Sequence, residues 1–521
     1  MGLGAIRSRR AARRAREASG GAGVSAPGGM PAGPEAALGA RFMRAFPAIA
    51  LVIFLAAVDQ TIVATALPAI AAEMGGLERT SWILVAYLVA ATCAAPVFGQ
   101  LGDRLGRKRL LSVALAVFFA GCAGCALAPD LPMLVFARIV QGLGGGALLT
   151  LAQALIGEAV PPRERGRYQA RIAGSYAFAS AFGPVAGGYL TQAFGWRAVF
   201  LVLLPVAALS AALARRLPQM GGPRGGGLRF DWAGLALFVV AVAAALIALD
   251  RARRLDPALL PLAAGLAALS LLAGAGLMLV ERAARDPLLP LAMFAEPSIW
   301  RAYAVSACVV GAQVGMISFL PVWLQVVRGL APGPSGLMLL AMSFGGVSGA
   351  FFAGRMVART GHAMRWPALF LPVSSAIWAV LAVFGAGMPF ALFLPLLAGA
   401  AFGSGTSFPV VQVTVQIAAG RERLGAASAG VSFSRNIGAA LGTALVAAAV
   451  FGAVSLAGPA TAGAFRRLVA EGAGFLAALG PEAAAALKAE LAEAFRTLFA
   501  AAAVLTAMGA VFALRVPLRR V

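Results

Sequence analysis

Residues Phe46–Pro68 read FPAIALVIFLAAVDQTIVATALP. At about 1.5 Å of rise per residue, such a helix crosses the hydrocarbon of a bilayer. It is apolar except for Asp59, Gln60 and its threonines. A carboxylate at that depth costs about 2.5–3.5 kcal/mol on insertion scales. A chain keeps such a group where something pairs with it or uses it. No other Asp or Glu falls near the middle of an apolar stretch, which makes Asp59 the leading candidate for a proton-handling residue.

The rest of the chain extends the same pattern. Of its 521 residues 61% are hydrophobic and 12% charged, against about 45–50% and 25% in a soluble domain. This composition predicts an all-α polytopic membrane protein, helix packed on helix in lipid; the short alternating segments of a membrane barrel are not present. Fourteen spans are expected, at 46–68, 81–101, 110–128, 132–156, 168–192, 198–217, 230–250, 258–280, 300–323, 334–357, 367–386, 389–416, 427–454 and 497–515. The stretches Leu217–Arg229 and Glu281–Arg301 bracket the seventh and eighth, giving six spans, two, then six. The expected organisation is therefore a tail (1–44), a six-helix bundle (45–217), a linker with two extra helices (218–297), a second six-helix bundle (298–515) with an outer loop at 455–496, and a tail at 516–521. Within that outer loop, 481–495 is suited to an amphipathic helix on the surface.

A net charge of +23 invites a nucleic-acid reading, but the basic residues fall mostly in short loops on one side of the spans. That is the positive-inside pattern. It predicts a multi-pass protein of the cell membrane with both termini in the cytoplasm, and no nucleic-acid partner. The loop Asp250–Asp256, with Arg251, Arg253 and Arg254, runs against the rule. The arginines of Arg7–Arg16 precede a Gly/Ala/Pro stretch and read as a disordered tail without a cleaved signal; contact with anionic lipid is left open. All four cysteines lie in apolar spans. Cys122 and Cys125 form a C-x-x-C without a redox context and read as small packing residues. No disulfide, metal or cofactor is expected. The one histidine, His362, falls in a loop on the basic side and is not a proton carrier.

The two blocks of six repeat each other. GQLGDRLGRKR (Gly99–Arg109) follows span two and GRMVARTG (Gly354–Gly361) follows span ten. The glycine spacing is the same, Arg104 and Arg359 share an offset, and Ala358 stands where Asp103 does. Repeated halves place a substrate site at their interface near the midplane. In the first copy Gly99 and Gly102 permit close helix approach, and Asp103 is suited to a helix N-terminus or an arginine. In span four, Arg138 keeps its proton at accessible pH and must be paired or hydrated. Asp59 is its natural partner; capping of backbone carbonyls is the alternative. In span five Ala179, Gly183 and Gly187 form a flat face for helix packing, with a kink at Pro184. Gln60, Trp82, Tyr87, Gln141, Gln313 and Gln412 are candidates for a substrate cavity, with Gln153, Trp323 and Gln416 behind them. Arg435, read at the cytoplasmic start of span thirteen, is expected to snorkel to headgroups in preference to lining that cavity.

The segment GQLGDRLGRKR resembles the signature loop between helices two and three of the major facilitator superfamily. The resemblance implies a cytoplasmic latch of Gly99, Asp103, Arg104, Gly106 and Arg107 that breaks and reforms during transport. Arg138, Gln141 and Gly142 are similar to the R-x-x-Q-G of its antiporters, where the arginine is linked to proton transfer. The span-five pattern, with Gly183, Pro184, Gly187 and Gly188, resembles the antiporter motif G-x-x-x-G-P-x-x-G-G except that Ala179 replaces the first glycine. GWRAVF (Gly195–Phe200) is similar to the turn that follows. DQTIVATALP (Asp59–Pro68) and SFSRNIGAALG (Ser432–Gly442) resemble the fourteen-span drug:proton antiporter branch. This implies a major facilitator fold of two six-helix bundles plus two extra helices.

The expected function is a proton-coupled exporter of hydrophobic or cationic small molecules, of the multidrug-efflux type. It would be driven by the proton gradient and act as a monomer, with any adaptor partner left open. Burial favours a protonated Asp59 and Arg138 an ionised one, so a change in hydration would toggle it. Export of one specific metabolite, such as an antibiotic, siderophore or amino acid, is the alternative. A polytopic membrane enzyme is a remote third, because it needs a polar cluster at one face and none is apparent. The run Gly142–Gly146 lacks the Lys-Ser/Thr of a phosphate loop.

Overall fold

The computed structural model describes residues 34–74, 77–217, 231–253, 259–284, 293, 295–330, 332–471 and 479–518. The tail arginines Arg7–Arg16, linker residues 218–230, Arg254, Asp256 and tail residues 519–521 lie outside the described residues. The regular elements among the described residues are helices. The first half comprises α1 (Pro34–Met74), α2 (Leu77–Leu105), α3 (Arg107–Leu127), α4 (Leu131–Ala159), α5 (Pro162–Phe194) and α6 (Arg197–Ala214). The extra pair is α7 (Trp232–Arg253) and α8 (Leu260–Ala283). The second half comprises α9 (Pro297–Val326), α10 (Pro332–Thr360), α11 (Arg365–Phe384), α12 (Phe390–Ala419), α13 (Leu424–Ala457), then α14 (Pro459–Glu471), α15 (Pro481–Ala494) and α16 (Arg496–Arg515). The first helix opens at Pro34 rather than near residue 45.

Thirteen helices among the described residues are long and apolar enough to cross a membrane. Helix α5 is not one of them, although it has the length and the place of the fifth expected span. Its serines, tyrosines, glycines and leading arginines make it too polar by that measure.

Glycines decide how closely the spans approach. A Cβ on Gly146 would strike the backbone of Ala91 in α2, and one on Gly144 the backbone of Phe118 in α3. The run Gly142–Gly146 is thus a packing stripe on α4. The second half repeats the device: Gly345 and Gly349 of α10 lie against the backbone of Ala398 and Phe402 in α12. The repeat extends to a second pair, since Gly183 and Gly187 of α5 meet Thr61 and Ile62 of α1, while Gly438 and Gly442 of α13 meet Ala307 and Gly311 of α9. Without a hydrophobic force between helices in lipid, such backbone approach supplies the packing.

The second half has an aromatic core in which Trp323 stacks on Phe393 with centroids 5.3 Å apart and meets Phe499 edge-on at 5.1 Å. The outer loop is folded down onto this core. Phe465 of α14 packs on Phe451 and Phe495, Leu491 of α15 is fully buried, and Thr461 Oγ1 donates to Glu490 at 2.6 Å.

Helix α7 lies between the halves. Its Phe238, Val242 and Leu246 pack with Leu88 and Cys93 of α2 and with Phe433 of α13. Helix α8 leans on α7 through contacts such as Ser270 Oγ to the Ala241 carbonyl at 2.8 Å. Arg251, one of the arginines that break the positive-inside pattern, is folded over the Trp82 ring at 5.1 Å. At the same end, Glu73 receives hydrogen bonds from Arg197 and Trp196, both at 2.7 Å. First Arg197 and then the indole hold its carboxyl below the usual glutamate range.

Candidate functional site

Asp59 and Arg138 form a fully buried ion pair at 3.0 Å. The pair sits inside the first bundle, where α1 supplies the acid and α4 the base. Arg138 Nη1 also donates to Gln141 Oε1 at 2.7 Å, and Gln141 Nε2 donates to Asp59 Oδ1 at 2.8 Å. The guanidinium lies over the Tyr87 ring at 4.2 Å, a cation–π contact strengthened by desolvation. The spacing i, i+3 puts Arg138 and Gln141 on one face of α4, so both reach Asp59. Asp59 Oδ2 and Arg138 Nη2 are buried with no hydrogen-bond partner.

Cys122 and Cys125 of α3 close the cluster. Gln141 Nε2 lies 3.1 Å from Cys122 Sγ, and Cys125 Sγ donates to Gln141 Oε1 at 3.4 Å. The C-x-x-C therefore holds the Gln141 amide, in addition to packing. Gln141 and Tyr87 belong to this sealed cluster and not to an open cavity, a correction to their reading as cavity residues. The Gln141 amide is bound to the ion pair, and Tyr87 meets it through its ring.

The face carrying Ala179, Gly183 and Gly187 packs on α1 immediately after Asp59. Thr61 Oγ1 donates to the Ala179 carbonyl at 3.4 Å, and side chains at Gly183 or Gly187 would collide with Thr61 and Thr65. Pro184 is exposed, and Gly188 has open space beside it. The motif thus fixes the helix that bears the acid.

The latch segment joins the halves at one end of the bundle. Asp103 accepts from the backbone N–H of Gly425 at 2.9 and 3.0 Å and of Ala426 at 3.3 Å, at the start of α13. It also pairs with Arg107, whose other nitrogen pairs with Glu158 at the end of α4. Gly99 lies against Gly425, and Gly106 turns the chain with φ of 98°. Arg104 is half-buried in the last turn of α2. The pseudo-repeat of this contact is Gly354 of α10 against Gly166 of α5, but Ala358 offers no carboxylate there. Glu158 and Gly425 escaped the sequence reading because each lies far along the chain from Gly99–Arg109.

Asp103→Asn removes charge-assisted bonds worth about 1.5–3 kcal/mol, so the equilibrium between the closed and open latch should move roughly ten- to a hundredfold toward open. Spin labels at the exposed positions Arg167 and Arg359 would report this as a population at longer distance. An unchanged distance distribution would remove the latch role from Asp103.

Further contacts join the halves inward of the latch. Gln416 Nε2 donates to the Gln153 carbonyl at 3.0 Å, and Asn436 Nδ2 donates to Thr92 Oγ1 at 2.9 Å. Gln412 donates to Ser428 at 2.9 Å and is buried within the second half. Trp323 belongs to the aromatic core of that half, and Trp82 faces Arg251 of α7. Gln412 shares its Ser428 partner with Gln416. Their sequence positions gave polarity or size but not direction. Gln313 is half-buried beside Gly346. Gln60 is half-buried and accepts from Tyr176 Oη of α5 at 3.1 Å. Arg435 does not snorkel. It lies well inside α13, where Nη2 donates to the Phe408 carbonyl at 3.3 Å and the guanidinium sits 5.1 Å from the Phe408 ring.

Residues 49–443 match the sequence model of the Major Facilitator Superfamily. An uncharacterised MFS-type transporter of Mycobacterium tuberculosis is 33% identical over 407 residues, which span 77% of this chain and 58% of that protein. The MFS-type efflux pump LUC4 of a Fusarium species is 31% identical over 442 residues, 81% of this chain and 76% of the pump. The multidrug transporter protein MdtP of Bacillus subtilis is 27% identical over 398 residues, 76% of this chain and 73% of MdtP. Among solved structures, the human organic anion transporter MFSD10 superimposes with a TM-score of 0.63 at 15% identity, covering 92% of this chain and 99% of that one. At that identity the likeness concerns the fold.

Proposed function

The chain belongs to the Major Facilitator Superfamily, and from that premise we propose that it is a proton-coupled secondary active exporter working by alternating access. The observation that carries the reading is the sealed Asp59–Arg138 pair, with carboxylate Oδ2 buried and unpartnered. That oxygen is a ready acceptor for a proton. Burial favours the neutral acid and Arg138 the carboxylate, so opening one side to water tips the balance. Protonation frees Arg138 and Gln141 from a common acceptor and loosens α1 against α4. The resulting movement is carried to the seam by Gln60, the next residue, through its bond to Tyr176. The closed latch makes this the state sealed on the side of Asp103. The basic loops on that side support a cytoplasmic placement of both termini in the cell membrane.

Transport of multidrug type is the reading supported by the efflux-pump and multidrug-transporter relatives. Cationic cargo is left out of the proposal, because Arg435 already places a positive charge at the seam. A fixed charge also favours the second reading, export of one chemically defined metabolite. The test is reconstitution in liposomes with an acid interior and a panel of labelled compounds. An acid-inside gradient should drive uptake of at least one compound, at about 1.4 kcal/mol per pH unit and proton. Uptake insensitive to the gradient across the panel, with downhill exchange intact, would refute proton coupling.

A further inference from the structure

We propose that Arg435 is a specificity residue of the central seam that binds an acidic group, a carboxylate or sulfonate, on the exported molecule. The proposal rests on the exporter reading for the direction of transport, and not for the binding itself.

Arg435 follows Leu424, the first residue of α13, by a distance of about 16 Å along the axis. That is about a third of the way along a helix of 34 residues, inside its apolar stretch. A guanidinium at this depth is costly and calls for a counter-charge or water. No acid pairs with Arg435 among the described residues. Its one hydrogen bond goes to a neutral carbonyl, and its Nε is buried without a partner. The other intramembrane arginine, Arg138, shows what a paired guanidinium looks like in this protein: carboxylate, amide and ring all engaged. Asp59 cannot serve both, because it is sealed inside the first bundle.

The place of Arg435 makes the missing partner a ligand. Tyr176 of the first half lies within electrostatic range of it. Tyr176 is 39% exposed and donates to Gln60 of α1. The adjacent Asn436 reaches across to Thr92, which fixes α13 against α2 with the guanidinium beside the seam. Phe408 supplies both the carbonyl and a ring, lying just after the break in α12 at Thr406. Interrupted helices at mid-depth are where substrates of repeated-half transporters bind. A planar fork next to an aromatic face is suited to an acid on an aromatic or aliphatic body.

The test uses three matched probes that differ in charge: 1-naphthylacetate, its amide and 1-naphthylethylamine. Binding is measured at equilibrium on the purified full chain, without any gradient. Wild type should bind the acid roughly ten- to a hundredfold more tightly than the amide, the size of a charged hydrogen bond, and the amine most weakly. Arg435→Gln should bring acid and amide to equal affinity while amide binding is retained, and Arg435→Lys should keep part of the preference. Equal binding of acid and amide by wild type would overturn the proposal, as would a preference that survives in Arg435→Gln. If Arg435→Gln does not fold, the wild-type comparison decides alone. The same titration in phosphatidylcholine discs with and without phosphatidylglycerol separates a cargo from a lipid headgroup. Loss of the acid preference on adding phosphatidylglycerol would assign Arg435 to lipid and overturn the proposal. Gradient-insensitive transport with the acid preference intact would remove the exporter reading and leave the site.

Discussion

Asp59→Asn is expected to abolish gradient-driven uptake while substrate exchange at equal pH continues. Asparagine has the shape of the acid and keeps a carbonyl where Oδ1 accepts from Arg138 at 3.0 Å and from Gln141 at 2.8 Å. The packing of α1 on α5 through Thr61 and Gly183 is untouched. What is lost is an oxygen that can gain and release a proton, together with the negative charge that compensates Arg138. Two pH units are worth about 2.7 kcal/mol per proton, which corresponds to roughly hundredfold accumulation. The variant should therefore fall from that level to simple equilibration. The measurement is paired: acid-inside liposomes for coupled uptake, and counterflow at symmetrical pH for binding and exchange. Coupled accumulation that persists in Asp59→Asn would move the proton to another group. Loss of both activities would mean that the acid serves the fold and not the coupling.

Asp59 and Arg138 could be paired from the sequence because the energetics leave few choices: a lone acid and a lone base at bilayer depth cost most when separate. The repeat of Gly99–Arg109 in Gly354–Gly361 likewise disclosed two related halves. Direction and depth were harder to read. Gln141 looked like a cavity residue, since a polar amide on a span serves equally well inside a bundle or beside a channel. Only the fold brings Cys122, Cys125 and Asp59 around it. Arg435 looked like a headgroup contact because α13 begins at Leu424, earlier than its apolarity suggests, and this draws the arginine inward. The wedge of α7 between α2 and α13 had no local signal, as its apolar residues would suit lipid as well as protein. The extra pair was legible as two spans, and its seat across the seam was not.

Arg138→Ala should destabilise the protein more than the joint replacement Asp59→Asn with Arg138→Gln. Removing the base alone leaves Asp59 with one donor, Gln141, in a site with no exposure to solvent. Breaking a buried pair from one side costs about 3–5 kcal/mol, because the remaining charge is uncompensated. It also empties the space over the Tyr87 ring, 4.2 Å from the guanidinium. The double variant removes both charges and leaves two amides beside Gln141, so its loss should be much smaller than the sum of the single losses. Thermal midpoints of Arg138→Ala, Arg138→Gln, Asp59→Asn and the pair, measured in one detergent, make the comparison and complete the cycle. The same variants separate stability from coupling: the double variant should fold nearly as well as wild type and still fail to respond to a pH gradient. Additive losses around the cycle would show that acid and base do not stabilise each other. In that case the ion pair would not hold α1 against α4, and the proton switch would have no spring in the fold.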